Sequence, residues 1–117
     1  MDGASEHPSY GKFFDYRVDI LRRRNRVTAS LAGAELASTE RVLLVDEQDH
    51  GLVFYFPRAD VRLDRLTAVP DLSTICPWKG RASYWRLAEG GEPIAWAYED
   101  PRPEVVQIRG YIAFYQN

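Results

Sequence analysis

The chain has 117 residues, 45% of them hydrophobic and 13% aromatic, with 15 basic and 17 acidic residues and a formal net charge of −2. That length supports one domain with one core, burying roughly two thirds of its extended surface, and the near-balance of charge disfavours a nucleic-acid partner, which draws on a basic excess. A single cysteine excludes an internal disulfide and a zinc knuckle of paired Cys-x-x-Cys, and two histidines, His7 and His50, lie far apart in the chain.

Residues 1–12 are polar and carry glycine and proline, so an arm is expected there, with Phe13, Phe14 and Tyr16 as candidate anchors to the body. The first seven residues show no basic-then-apolar leader, and no apolar run approaches the ~20 residues that span a bilayer. A cytoplasmic protein with no membrane partner is the expectation. Arg22, Arg23, Arg24 and Arg26 read as a turn, a solvated hairpin tip, after a first strand. The organisation expected is therefore an arm and first strand over residues 1–25, and a single β-rich domain over residues 26–117.

Val27, Ala29 and Leu31 alternate with polar or small neighbours, the period of a half-buried strand, and residues 32–34 read as a hairpin turn. Residues 42–45 are continuously apolar, a buried strand, and residues 46–51 read as a polar loop containing His50. Residues 52–56 are apolar and aromatic with strong β preference. Pro57 ends that strand and opens a short helical turn. Val61, Leu63 and Leu66 alternate weakly towards Pro70.

Residues 83–87 form a strand, the Glu89-Gly90-Gly91-Glu92 segment a hairpin turn, and residues 93–98 the returning strand. Alternation puts Trp96 and Tyr98 on one face, with Ala95, Ala97 and Glu99 on the other. Pro101 and Pro103 open a brief helix through Ile108 that Gly110 can close, and residues 111–115 form the last strand. The sum is seven or eight short strands with one or two helical turns. This is a mainly β domain, built either as a compact two-sheet sandwich or as two sheets meeting at an angle in a β-tent-like arrangement.

The segment from Thr74 to Trp85 holds the chemistry: the one cysteine, two of three tryptophans, a lysine and a turn glycine. Cys76 is a candidate nucleophile, because Lys79 three residues on favours the thiolate; the alternative is a small buried residue before a proline turn. Lys79 and Glu99, each beside aromatic residues at a strand end, are expected to face one shared hollow. A partly desolvated lysine binds a carboxylate or phosphate, or acts as a base; the alternative is an ion pair that pins two turns.

Cys76, Lys79 and Glu99 are thus the candidate catalytic residues. Trp78, Lys79, Ser83, Trp85, Tyr98, Glu99 and Tyr111 are the candidate ligand-binding residues, lining an aromatic pocket between the turn at residues 76–85 and the strand end at residues 96–101. No metal and no cofactor is expected. Three functions fit: binding of a small polar or aromatic metabolite, an enzyme acting on a nucleotide or by thiol chemistry, or a peptide or protein interaction domain. A serine hydrolase does not fit, for no histidine base accompanies the hydroxyls of Ser38, Thr39, Thr74 and Ser83.

Several segments together resemble domain-of-unknown-function family 427, small bacterial and fungal proteins sometimes labelled nucleotidyltransferase-like. They are Gly33 with Ala37-Ser38-Thr39; Tyr55-Phe56-Pro57-Arg58-Ala59-Asp60-Val61; Cys76-Pro77-Trp78-Lys79-Gly80 with Ala82-Ser83-Tyr84-Trp85; Trp96-Ala97-Tyr98-Glu99-Asp100-Pro101; and Gly110-Tyr111-Ile112-Ala113-Phe114-Tyr115. Trp78 stands where the family carries tyrosine, exchanging a phenol for an indole. The resemblance covers roughly residues 26–116 and implies a fold similar to the β-tent group. Relatives in that group hold zinc through two cysteine pairs that this chain lacks, so no metal is carried over. The nucleotidyltransferase label finds no phosphate-cradling glycine loop here.

Overall fold

The computed structural model describes residues 18–48 and 51–116. The amino-terminal arm, its candidate anchors Phe13, Phe14 and Tyr16, and both histidines lie outside the described residues.

Among the described residues, nine strands form two antiparallel sheets. They are β1 (Val18–Arg22), β2 (Val27–Leu31), β3 (Ala34–Thr39), β4 (Leu43–Glu47), β5 (Gly51–Phe56), β6 (Leu66–Cys76), β7 (Gly80–Leu87), β8 (Pro93–Tyr98) and β9 (Ile112–Phe114). The large sheet runs β1-β4-β5-β9-β8-β7-β6, and β2 and β3 make a separate hairpin. Three 3-10 segments, Arg58–Asp60, Leu63–Arg65 and Pro103–Ile108, complete the described chain. The protein is mainly β with two sheets, and no described helix is long and apolar enough to cross a membrane.

Each turn has a local cause. Ala32 and Gly33 both take positive φ, 53° and 84°, the twist a two-residue hairpin requires. Pro57 sits immediately before the Arg58–Asp60 turn, where its fixed φ is already suitable. β6 contains Pro70 and skips register between Val69 and Ser73. Proline is tolerated there because, among the described residues, β6 is an edge strand that pairs with β7 alone.

β1 is a full member of the large sheet, paired with β4 from Val18↔Glu47 to Arg22↔Leu43. The basic turn that follows is exposed, and Arg26 is paired with Glu40 at 3.0 Å.

The large sheet buries both faces. One face packs Phe56, Ala95, Ala97 and Ile112, with Trp85 and Phe114 beside them, beneath the β2–β3 hairpin. The other packs Leu43, Val45, Tyr55, Ala82, Tyr98 and Ala113 beneath Val105 and Ile108 of the last 3-10 segment. Period-2 alternation explains the division: Tyr55 and Phe56, or Ala97 and Tyr98, are sequence neighbours on opposite faces.

A polar clamp ties the hairpin to the body. Buried Thr39 donates through Oγ1 to Asp60 at 2.7 Å and accepts from the Arg41 amide at 3.0 Å. The Thr39 hydroxyl, helped by the Arg41 guanidinium and opposed by partial burial, holds the Asp60 carboxyl below its usual range. A carboxyl depressed in the folded state stabilises the protein above its unfolded pKa near ~4, and that stability is lost as pH falls through the folded value. Asp60→Asn is therefore expected to lower the urea midpoint at pH 7, with the difference from the parent protein shrinking at acid pH. A difference that stays constant to pH 2 would contradict this account.

Candidate functional site

The turn at residues 77–79 between β6 and β7 carries Lys79 into the interior. The Lys79 amide donates to the Cys76 carbonyl at 3.2 Å, and the Arg102 amide donates to the Lys79 carbonyl at 2.9 Å. Gly80 follows with φ +118° and lies against the backbone at Asp100 and Pro101. The turn is thereby held between its own hairpin and the connection after β8.

Held in this way, Lys79 is 6% exposed, and its ammonium donates to Oε1 of Glu47, also 6% exposed, at the end of β4. The ammonium lies 5.8 Å from the centre of the Tyr98 ring, within cation–π range. Two charges withdrawn from water must be paired and hydrogen-bonded to be tolerated, and here the partner comes from a strand 32 residues earlier.

An aromatic cluster that includes Tyr98 covers the same face. β9 lies between β5 and β8, so small Ala113 stands opposite both Tyr55 and Trp96. The two larger rings meet beside it, 6.4 Å apart and edge to face, with Trp96 Nε1 donating to the Tyr55 hydroxyl at 3.2 Å. Trp96 also packs on Tyr115 at 4.7 Å. Tyr84 and Thr74 share a hydrogen bond of 2.7 Å, and Cys76 and Tyr111 pack against the same cluster, each half-buried.

Burial pushes the Tyr55 and Tyr98 phenols well above their ordinary value. For Tyr55 the Trp96 hydrogen bond works in the opposite sense and the Glu47 charge adds to the rise. A raised pKa in the folded state contributes stability that is full below the unfolded value near ~10 and is lost as pH climbs through the folded one. In a spectrophotometric titration, Tyr55 and Tyr98 are expected to ionise only as native circular dichroism is lost. Reversible ionisation of all seven tyrosines in the native fold would refute that.

The expected convergence of Lys79 with Glu99 is corrected. Glu99 is exposed and paired with Arg58 at 2.6 Å. Arg58 also donates to the Gly110 carbonyl at 3.0 Å, and its guanidinium lies 5.2 Å from the Trp85 ring. Trp85 belongs to the hairpin-covered face and Tyr98 to the other. Alternation separates Glu99 from Tyr98 as it separates Trp85 from Tyr84.

Of the sequence-selected residues, Lys79, Tyr98, Tyr111 and Cys76 share the Lys79 face. Trp78 is half-buried in the turn itself. Trp85 and Glu99 go with the opposite face, and the Ser83 hydroxyl donates to the Ala97 carbonyl at 3.4 Å.

Sequence reasoning missed Glu47, because residues 46–51 read as a loop. The signal was present: Leu43, Val45 and Glu47 are spaced by two, so a strand continued past Val45 puts Glu47 on the buried face. Among the described residues no group of three or more His, Cys, Asp or Glu converges on a metal site.

The hairpin side holds a cleft of about 460 Å³ between β2–β3 and the sheet, walled by Val27, Ala29, Leu36, Phe54, Phe56 and Phe114 among others. None of the sequence-selected site residues lines it.

No curated protein matches the chain significantly. The family model described as a domain of unknown function (DUF427) matches residues 19–117, nearly all of the chain and all the segments that build both faces. This protein is therefore a member of the DUF427 family.

Proposed function

We propose that the domain binds a small polar or aromatic metabolite on the Lys79 face of the large sheet. The buried Lys79–Glu47 pair carries this reading. A buried ion pair adds little to stability compared with apolar packing of equal volume, because desolvation offsets most of the attraction. Titratable groups gathered in a desolvated setting are candidates for a functional site; Tyr98 lies beside the Lys79 ammonium, and Tyr55 and Cys76 pack in the same cluster as Tyr98.

The pair is neutral as a unit, so it suits a ligand that both donates and accepts hydrogen bonds better than a bare anion. Half-buried Trp78, Trp96 and Tyr111 supply flat apolar surface for a ring. Ser83, Trp85 and Glu99 have no part in this site.

The test is a thermal-shift screen of the full chain against nucleotides and polar metabolites. A ligand at 100 times its Kd stabilises by about 2.7 kcal/mol, a readily visible shift. Trp78→Leu is expected to abolish the shift in protein whose circular dichroism shows the native fold. A screen without hits, or hits indifferent to Trp78→Leu, would defeat the reading.

A second reading, thiol chemistry, is favoured by one observation: Cys76 is half-buried rather than sealed, and it packs in the same cluster as Tyr98. In that case the native protein consumes iodoacetamide at a rate that rises with pH, and Lys79→Gln slows it. A Cys76 inert until unfolding would eliminate this reading.

A further inference from the structure

The cleft on the hairpin side is chemically unlike the Lys79 site. We propose that it is a separate binding site for a small, uncharged, predominantly apolar molecule.

Its shape arises from a β-bulge. Ala29 pairs with Ala37 and Ser30 with Glu35, so Leu36 is an extra residue in β3. In a regular strand Leu36 and Ala37 would face opposite ways. Here both are buried, at 2% and 0% exposure, and Leu36 is turned into the cleft wall. Bulges re-aim side chains in this manner and are over-represented beside binding sites. Phe54, Phe56 and Phe114 of the large sheet stand opposite.

The volume of about 460 Å³ lies within the span of small-molecule sites, roughly 300–1,000 Å³. No acidic, basic or imidazole side chain lines it. A charged ligand would lose its water and gain no counter-charge. An extended peptide would bring an N–H and a C=O for every residue, against a lining whose only polar side chains are those of Thr28, Ser30, Tyr115 and Gln116, all of them exposed. The fitting occupant is a fused ring or short branched chain with one hydrogen-bonding group left at that rim.

N-phenyl-1-naphthylamine, an uncharged probe that brightens in apolar surroundings, tests this on the full chain. The expected result is saturable one-to-one enhancement, with affinity at least about tenfold weaker, a change of 1.4 kcal/mol, in Ala29→Phe, whose ring fills the cleft. If circular dichroism shows that Ala29→Phe does not fold, Ser30→Trp blocks the rim instead. Neither blocking position belongs to the Lys79 face, so loss of probe affinity in these variants is read apart from the metabolite screen and this site stands or falls separately from the Lys79 reading. Non-saturating uptake, affinity untouched by either folded blocking variant, or equal binding of the anionic 8-anilino-1-naphthalenesulfonate would overturn the proposal. So would a dimer that dissociates when probe is added, which would make a second copy of the chain the occupant.

Discussion

Lys79→Met is expected to destabilise the domain by about 3–5 kcal/mol, the cost of leaving a buried charge without its partner. The carboxylate of Glu47 would remain in the interior without the ammonium it accepts from, and Tyr98 would lose the cation beside its ring. The double variant Lys79→Met/Glu47→Leu is expected to recover most of that loss, because it removes both desolvated charges together. Urea unfolding of the parent, both single variants and the double variant measures the coupling. A Lys79→Met cost below ~1 kcal/mol, typical of exposed pairs, would mean that water reaches the pair, and the case for a desolvated centre would fail.

Arg58 and Glu99 make the useful contrast. Their distance is short, 2.6 Å, but the side chains are 37% and 52% exposed. Exposed pairs contribute ~0–1 kcal/mol, so Glu99→Ala is a small perturbation despite the good geometry. Burial, more than separation, decides which of the two ion pairs matters.

Gly80→Ala is the second large effect, expected at about 1–3 kcal/mol, the range for a residue forced into a sparsely populated backbone region. Gly80 has φ +118°, and a Cβ there would stand 3.3 Å from the Asp100 carbonyl oxygen and 3.5 Å from the Pro101 Cα. These neighbours are backbone and cannot swing aside as a side chain would. Relief of the contact would separate residue 80 from residues 100–102 and stretch the Arg102 amide bond to the Lys79 carbonyl. Faster hydrogen exchange at the Arg102 amide should accompany the lower urea midpoint. A stable variant with unaltered exchange there would show that the turn is not clamped by this approach.

Much of the architecture is legible locally. Most strand positions, the Ala32–Gly33 and Gly90–Gly91 turns, the Pro57 turn and the proline-initiated segment before Gly110 follow from short-range rules; β6 was not read as a strand, because Pro70 and the polar residues beside it interrupt its alternation. Alternation continued one residue past β8 already set Glu99 opposite Tyr98. The error lay in letting aromatic neighbours along the chain stand for neighbours in space.

Glu47 was misread because one acidic residue after an apolar run resembles a loop beginning. Only a partner distant in sequence makes a buried carboxylate tolerable, and composition near Glu47 does not disclose Lys79. The extra residue in β3 is equally silent: Leu36 and Ala37 are both apolar whether or not a bulge turns them to one side.

By itself, the order of residues determined a mainly β domain, its turns, and which side chains alternate together, because backbone sterics and hydrophobic periodicity act over a few residues. The insertion of β9 between β5 and β8, the meeting of Lys79 with Glu47, and the cleft beneath the hairpin were decided by the tertiary structure. Those depend on which strands come to lie side by side, a matter of cooperative packing across long sequence separations that no short stretch of chain encodes.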